Sequence, residues 1–302
     1  APLPAGATAV VMQEDVRCEG DEIELCEDVR PGEFVRRVGE VLCRGQRIAA
    51  AGDRLTPGRI GVLASQGIDR VEVGRVPSVA LITTGDELRP PGEILEFGQL
   101  YNSNAAMLSA ALRSAVRGVR VSCRHVPDDL DVTAKALREG LGEADFVIVA
   151  GGVSVGERDF VKPALASLGV ELDFWRVRVK PGKPLLYALG GEGQQVVGLP
   201  GNPVSALVCL AVFVLPAVRA RAGARGRSVL PQRVSAVLAA PVANPGDRPH
   251  YLRGAIDSHG QFCAGGQQVS HGLLGLAEAS ALVRVAAGAE MAAGEMVEVI
   301  LF

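Results

Sequence analysis

The apolar run Phe146-Val-Ile-Val149 and the segment that follows it, Ala150-Gly-Gly-Val-Ser-Val-Gly-Glu-Arg-Asp-Phe160, decide the fold of this chain. A buried strand that ends in a glycine-rich turn and leads into a helix is the repeating unit of a parallel α/β sheet. Such a turn points several backbone N–H groups at one spot, which suits an anion. Glycine-rich turns are also ordinary connectors, so this segment alone does not define a ligand site.

The flanking sequence repeats the same alternation of strand and helix. Strand-like runs occur at Val79-Ala-Leu-Ile82 and Val119-Arg-Val-Ser122, and helical stretches cover residues 102–116 and 130–141. A second glycine-rich loop, Gly198-Leu-Pro-Gly-Asn-Pro-Val-Ser-Ala206, precedes an apolar segment of helical length. The alternation predicts right-handed βαβ units and a parallel sheet that is covered by helices on both faces, a three-layer α/β/α domain.

We expect three regions along the chain: residues 1–77, 78–226 and 227–302. The first is mostly β, with short strands at 9–13 and 22–25, strand and turn pieces at 40–46 and 51–55, and one short helix that Thr56 caps and Pro57 opens. The second is the α/β domain. The third returns to strands punctuated by Gly and Pro, which predicts a small β-barrel or sandwich.

Composition excludes several function classes. The formal net charge is −3 and aromatic residues make up only 4% of the 302 residues, so nothing favours a nucleic-acid partner. The six cysteines include no C-x-x-C pair, and the scattered histidines read as surface residues, which argues against a zinc site. No secretory signal or membrane-spanning run is visible, so we expect a cytoplasmic protein.

Carboxylates follow each of the three predicted parallel strands, in Thr83-Thr-Gly-Asp-Glu87, Pro127-Asp-Asp129 and Gly151–Asp159. Ligands of open α/β sheets bind outside the carboxyl ends of the strands. Glu87, Asp128 and Asp159, or their neighbours, therefore become candidate ligands for Mg²⁺, which prefers carboxylates, waters and phosphate oxygens. The alternative is that the aspartates at 128, 129 and 159 cap helices.

Basic residues form the second candidate group. Leu172-Asp-Phe-Trp-Arg-Val-Arg-Val179 predicts one long strand, on which Arg176, Arg178 and Lys180 share a face, and Lys183 follows. A basic stripe beside acidic, glycine-lined loops suits a phosphorylated anion bridged by Mg²⁺. The alternative is a solvated strand face.

Together these motifs resemble the MoeA family, the molybdopterin molybdenumtransferases, to which the E domain of gephyrin is related. The motifs are Thr84-Gly-Asp-Glu87, Gly151-Gly-Val-Ser-Val-Gly156 with Asp159, Lys180-Pro-Gly-Lys-Pro184 and Gly198-Leu-Pro-Gly-Asn-Pro203. Val10–Asp15, Thr56–Ala64, Tyr251-Leu-Arg-Gly254 and Gly294–Ile300 extend the resemblance over essentially the whole chain. The middle region is thereby expected to be a molybdopterin-binding domain.

The resemblance implies a transferase of molybdenum cofactor biosynthesis, which inserts molybdate into adenylylated molybdopterin and releases AMP with the help of Mg²⁺. Glu87, Asp128 and Asp159 would organise the metal and the substrate, and Arg176, Lys180 and Lys183 would hold phosphate or molybdate. The remaining expected cofactor-binding positions are Thr84, Gly85, Gly151, Gly152, Ser154, Gly156, Pro200, Asn202, Pro203 and Ser205.

Two departures from the family pattern bear on the site. The chain starts at Ala1 without a further N-terminal segment that carries an Asp-Gly-Tyr-Ala motif in the family, so we expect residues upstream. That part of the family completes the site across a homodimer interface. Thr8 also stands where the family carries Asp.

Two alternative functions remain open at the level of sequence. One is a molybdopterin adenylyltransferase, which usually lacks the flanking β domains, and the other is a gephyrin-like scaffold without enzymatic activity.

Overall fold

The computed structural model describes residues 2–302, which fall into two compact units. One unit runs up to Ala50 and includes Thr56–Ile68, and the other comprises Ala51–Leu55 and Asp69–Phe302. The first unit contains an antiparallel hairpin of β1 (Val16–Glu19) and β2 (Glu22–Leu25) and one helix, α1 (Pro57–Ser65). Thr56 caps α1 by accepting a hydrogen bond from the backbone N–H of Arg59, as predicted.

The strand predicted at 9–13 does not form, and residues 40–46 and 51–55 contain turns but no strand. In the first unit, backbone N–H groups bond instead to side chains three residues ahead, as from Arg37 to Glu40 at 2.8 Å and from Cys43 to Gln46 at 3.1 Å. Such local bonds close consecutive turns and leave no free ladder for a neighbouring strand.

The second unit begins with the α/β region. Its elements in chain order are β3 (Ser78–Thr84), β4 (Leu88–Arg89), β5 (Leu100–Tyr101), α2 (Ser103–Ala115), β6 (Arg120–Val126), α3 (Leu130–Glu143), β7 (Phe146–Ala150), α4 (Val161–Ser167), β8 (Leu172–Trp175), β9 (Leu186–Leu189), β10 (Gln195–Leu199) and α5 (Pro203–Arg221). Six strands form one sheet in the order β6-β3-β7-β10-β9-β8. The first four are parallel, which confirms the predicted βαβ arrangement, and β9 runs antiparallel to both of its neighbours.

Helices cover both faces of this sheet, because side chains alternate between faces along each strand. In β7, Phe146 and Ile148 pack in the cluster that contains Leu108 of α2, while Val147 packs with Leu137 of α3 on the other side. The predicted three-layer architecture is therefore confirmed.

Helix α5 is long and apolar enough to cross a membrane by length and composition alone. Most of it is buried, and residues such as Val208, Leu210 and Val218 lie in the core cluster beneath the sheet. Packing accounts for its composition. A π-helical turn at Leu210–Val214 precedes Pro216, whose missing N–H and bulky ring favour a wider turn there.

The C-terminal part of the second unit closes into a barrel. Its elements are β11 (Arg233–Leu238), β12 (Val242–Ala243), β13 (His250–Ile256), β14 (Gln261–Ala264), α6 (Leu273–Ala277), β15 (Ala281–Val285), β16 (Glu290–Met291) and β17 (Met296–Leu301). The closed order is β11-β14-β13-β15-β17 around a core that includes Leu252, Phe262 and Val299. Closure removes exposed strand edges, so the barrel is the outcome rather than a sandwich.

Candidate functional site

The candidate site lies along the carboxyl edge of the sheet, the edge at which β3, β6, β7 and β10 all end. Because β9 is antiparallel and β8 reverses direction again, the chain between β8 and β9 also returns to this edge. Neighbouring strands lie about 4.8 Å apart, so the loops after β3 and β8 are roughly 19 Å from each other across four intervals. The edge therefore suits an elongated ligand.

At one end lie Asp86, Glu87 and Asp128, which we call the acidic group. The two aspartates join the loops after β3 and β6: Asp128 N–H donates to Asp86 Oδ1 at 3.0 Å, and Asp86 N–H donates to Asp128 Oδ2 at 3.4 Å. Burial raises the pKa of the Asp128 carboxyl, and the nearby charges of Asp86 and Glu87 raise it as well. The Asp86 N–H and Arg158 lower this pKa. The acidic group thus places three carboxylates beside one cation, Arg158.

Asp159 does not join the acidic group in a preformed metal site. Its Oδ2 accepts a hydrogen bond from Gly156 N–H at 2.6 Å, which closes its own loop. In the part of the chain that the structure describes, residues 2–302, no three acidic, histidine or cysteine side chains are clustered for a metal. The acidic group nevertheless fits Mg²⁺, which takes one or two carboxylates and fills its other positions with water and phosphate. Arg158, 3.3 Å from Asp86, is the cation nearby.

Of the three aspartates that were candidate helix caps, only Asp129 acts as one. Asp129 caps α3, and its Oδ1 accepts from Val132 N–H at 2.9 Å. Asp128 makes no such bond, and α4 begins after Phe160 without a side-chain cap, so Asp159 is not a cap either. The capping alternative is therefore correct for Asp129 and wrong for the two aspartates proposed as ligands.

Glycines bring the loops of the edge into close contact. A Cβ at Gly151, which has φ +104°, would lie 2.7 Å from Thr84 Oγ1, and one at Gly152 would lie 3.0 Å from the same oxygen. A Cβ at Gly85 would lie 2.6 Å from Glu87 Oε2. Thr84 Oγ1 is buried without a hydrogen-bond partner. The loop after β7 is thus packed directly on the carboxyl end of β3.

The first glycine loop, residues 151–156, is buried at its start and exposed at Ser154 and Gly156. Lys162 of α4 holds its middle by donating to Ser154 O at 2.9 Å. The exposed half of this loop thus faces solvent at the carboxyl edge.

The second glycine loop, Pro200-Gly-Asn-Pro203, lies beside the first. A Cβ at Gly201 would come within 3.7 Å of Gly151 Cα, and Gly201 O accepts from Asn104 Nδ2 at 2.7 Å. Asn202 is exposed, Pro203 opens α5, and Ser205 is buried in its first turn. Asn104, at the start of α2, was missed in the sequence, because an asparagine there reads as an ordinary helix-start residue.

The basic residues do not share one strand face, so that prediction is wrong. β8 ends at Trp175, and Arg176 has φ +75°, which turns the chain out of the extended conformation. Arg178 donates to Asp247 O of the barrel at 2.7 Å, which ties its guanidinium to the barrel. Residues 176–184 instead form a loop, here called the basic loop, in which Arg176, Lys180 and Lys183 are exposed.

The barrel anchors the basic loop. Lys180 N–H donates to Pro249 O at 2.9 Å, and Tyr251 N–H donates to Lys180 O at 2.8 Å. Arg248 donates to Val179 O at 3.4 Å. Arg248 and His250 thereby lie beside the basic loop, and sequence reasoning missed them because only the tertiary fold brings residues 68 and 70 positions away to Lys180.

His250 is buried next to Lys180, and it makes stability depend on pH. Burial, together with the nearby charges of Lys180 and Arg253, lowers the pKa of His250 to about 4. The native state therefore stays unprotonated while the unfolded state binds a proton below its ordinary pKa of about 6.5. This contribution is complete above pH 6.5 and is lost as the pH falls towards 4. We expect a loss of about 2 kcal/mol from pH 7.5 to pH 5.

Urea unfolding at both pH values measures this effect. His250→Gln is expected to remove the His250 part of the pH dependence, whereas His259→Gln, a change in an exposed turn of the same barrel, is expected to retain it. An equal loss in the wild type and in His250→Gln would show that the buried imidazole is not responsible.

Three family models match successive parts of the chain. The MoeA N-terminal region, domains I and II, matches residues 1–67. A probable molybdopterin binding domain matches residues 80–220, and the MoeA C-terminal region, domain IV, matches residues 235–302. The carboxyl edge described above lies within the second match.

Curated relatives and solved structures agree with these matches. Molybdopterin molybdenumtransferase 2 of Mycobacterium tuberculosis is 35% identical over 99% of this chain and 75% of its own length. The molybdopterin molybdenumtransferase of Synechococcus elongatus is 36% identical over 99% of this chain and 74% of its own. The crystal structure of the molybdopterin biosynthesis moeA protein from Pyrococcus horikoshii OT3 matches with a TM-score of 0.77 at 26% identity, covering 99% of this chain and 73% of that one. The chain belongs to the MoeA family.

Proposed function

We propose that this protein is a molybdopterin molybdenumtransferase, which inserts molybdate into adenylylated molybdopterin and releases AMP in a Mg²⁺-dependent reaction. One observation carries the proposal: the carboxyl edge of a MoeA-family chain presents an acidic group at one end and a basic loop at the other. The two glycine loops lie between them. Adenylylated molybdopterin is an elongated anion, which matches this arrangement.

The acidic group would hold Mg²⁺ through Asp128 and Glu87, with Asp86 beside them. A bound Mg²⁺ supplies charge neutralisation for the phosphate oxygens of the bond that is cleaved. Asp128 and Asp86 contribute by fixing each other through their reciprocal hydrogen bonds, so the carboxylates are ordered before the substrate arrives. Asp159 would act by shaping the first glycine loop through its bond to Gly156.

The basic loop would bind the anionic end of the substrate or molybdate. Lys180 and Lys183 carry exposed ammonium groups on a backbone that the barrel fixes, and Arg248 lies beside them. A rigid backbone limits the entropy that is lost when these side chains close on an anion. The glycine loops would wall the pterin pocket, with Asn202 exposed at its rim. We expect a cytoplasmic homodimer that engages neither membranes nor nucleic acids.

AMP release from adenylylated molybdopterin tests the proposal, measured with and without Mg²⁺ and molybdate. We expect release that requires the metal and leaves molybdenum on the dithiolene. Lys180→Ala is expected to weaken anion binding by about 1–3 kcal/mol, the range for a hydrogen bond to a charged group. Consumption of ATP and molybdopterin to form the adenylylated product would favour the adenylyltransferase alternative instead. Peptide binding without either activity would favour the scaffold.

A further inference from the structure

Trp175, the single tryptophan of the chain, lies where β8 ends and the basic loop begins. Its indole Nε1–H donates to Val153 O in the first glycine loop at 2.8 Å. Lys162 Nζ lies 3.4 Å from the ring centroid, and the guanidinium carbon of Arg176 lies 3.9 Å from it. One side chain therefore contacts both the first glycine loop and the basic loop.

The two cations connect the ring to the loops on either side of it. Lys162 also donates to Ser154 O at 2.9 Å, so the ammonium bridges the ring and the first glycine loop. Arg176 begins the basic loop, and its backbone N–H donates to Leu185 O at 2.8 Å. Among residues 2–302, neither Lys162 nor Arg176 forms an ion pair with a carboxylate.

Attraction to the indole face holds these cations without neutralising them. A carboxylate partner would fix Arg176 equally well, but it would cancel the charge that an anionic substrate needs. The face of a ring fixes the guanidinium and leaves its N–H donors free for a ligand. Arg176 also needs such support, because a non-glycine residue at φ +75° is unfavourable unless its surroundings hold it.

We propose that Trp175 is a positioning residue that fixes the first glycine loop relative to the basic loop, an arrangement here called the register of the two loops, and that orients the Arg176 guanidinium for an anionic substrate. The part of this proposal that concerns substrate binding rests on the proposed function. The placement of the two loops by Trp175 does not depend on that function. Phe174, the adjacent residue, stacks on Tyr187 with ring centroids 5.5 Å apart, so it belongs to the opposite face of the sheet.

Hydrogen–deuterium exchange of the intact protein tests the register directly. In Trp175→Leu, which lacks both the ring and the donor, we expect amide exchange to rise at least about 10-fold in residues 151–160 and in 176–184. Trp175→Phe keeps a ring for the cations and loses the donor to Val153. It is expected to speed exchange in residues 151–160 and to leave 176–184 near the wild-type rate.

Phe174→Leu is the matched control, since it removes a neighbouring aromatic side chain from the other face and should leave both loops unchanged. Equal exchange in Trp175→Leu and Phe174→Leu would overturn the proposal, as would a uniform rise throughout the sheet.

In AMP release we expect Trp175→Leu to raise KM at least about fivefold and Trp175→Phe to keep KM close to the wild-type value. Faster amide exchange in both loops without a change in KM would support the role of Trp175 in placing the loops and reject its role in substrate binding. Loop loosening in a protein that releases no AMP would count against the proposed function and leave the register intact.

Discussion

Asp128→Asn is expected to lower Mg²⁺-dependent AMP release at least about 100-fold, because losing about 3 kcal/mol of electrostatic stabilisation corresponds to that factor. The substitution keeps the shape of the side chain and an oxygen that can accept from Asp86 N–H. It removes the charge that a divalent cation and its bound phosphate require. The apparent affinity for Mg²⁺ should fall with the rate.

The same substitution is not expected to destabilise the fold. The pKa of Asp128 is raised in the native state, so its ionised form is less stable there than in the unfolded chain. Removing this charge should leave the free energy of unfolding at pH 7 unchanged or slightly higher. A charge that lowers the stability of the native state is typical of a functional site.

Asp129→Asn is the matched control, one position along the chain. Asp129 caps α3, and asparagine caps as well as aspartate, so both activity and stability should be retained. The measurement is initial AMP release against Mg²⁺ concentration for the two variants and the wild type. Full activity in Asp128→Asn would remove this residue from the site, and equal losses in both variants would point to a general effect of charge.

Gly151→Ala is expected to destabilise the second unit by about 2–5 kcal/mol, from the cost of a left-handed alanine and of overpacking. The added Cβ would lie 2.7 Å from Thr84 Oγ1 and 2.9 Å from Thr84 O. The backbone carbonyl belongs to β3 in the middle of the sheet and cannot move away easily. The loop must shift instead, so AMP release should also be lost.

Gly156→Ala is the control for Gly151→Ala. Gly156 has no positive φ, and the nearest atom to an added Cβ is Asp159 Oδ2 at 3.4 Å, so this variant should remain within about 1 kcal/mol of the wild type. Urea unfolding followed by circular dichroism gives both values. Similar unfolding midpoints for the two variants would mean that the loop after β7 is not held against β3 as described.

The α/β region was largely predictable because its signals are local and repeated. Strand β7 and the glycines after it mark one βαβ unit, and the runs near Val79 and Val119 mark the next. Parallel strands that alternate with helices have few possible arrangements, so the carboxylates at Asp86, Glu87 and Asp128 had to share one edge. Their side-by-side placement in the structure follows from that topology.

Predictions that relied on the extent of a strand were less successful. Val177 and Val179 continue the apolar alternation of β8, yet the strand stops at Trp175. The hydrogen-bonding groups beyond it are used within the loop and by the barrel, as in the bonds of Lys180 to Pro249 and Tyr251. Alternation in sequence records which side chains are buried, and a buried loop residue gives the same pattern as a strand residue.

The sequence by itself determined the layered α/β region, the two glycine loops and the acidic edge, because short-range patterns and strand polarity are enough to define them. Only the tertiary structure decided that the basic loop returns to this edge through an antiparallel strand, and that Arg248 and His250 of the barrel lie beside Lys180. It also decided which aspartate caps a helix and which joins the acidic group. These outcomes depend on contacts between segments far apart in the chain. The energies of such contacts cannot be read from short stretches of sequence.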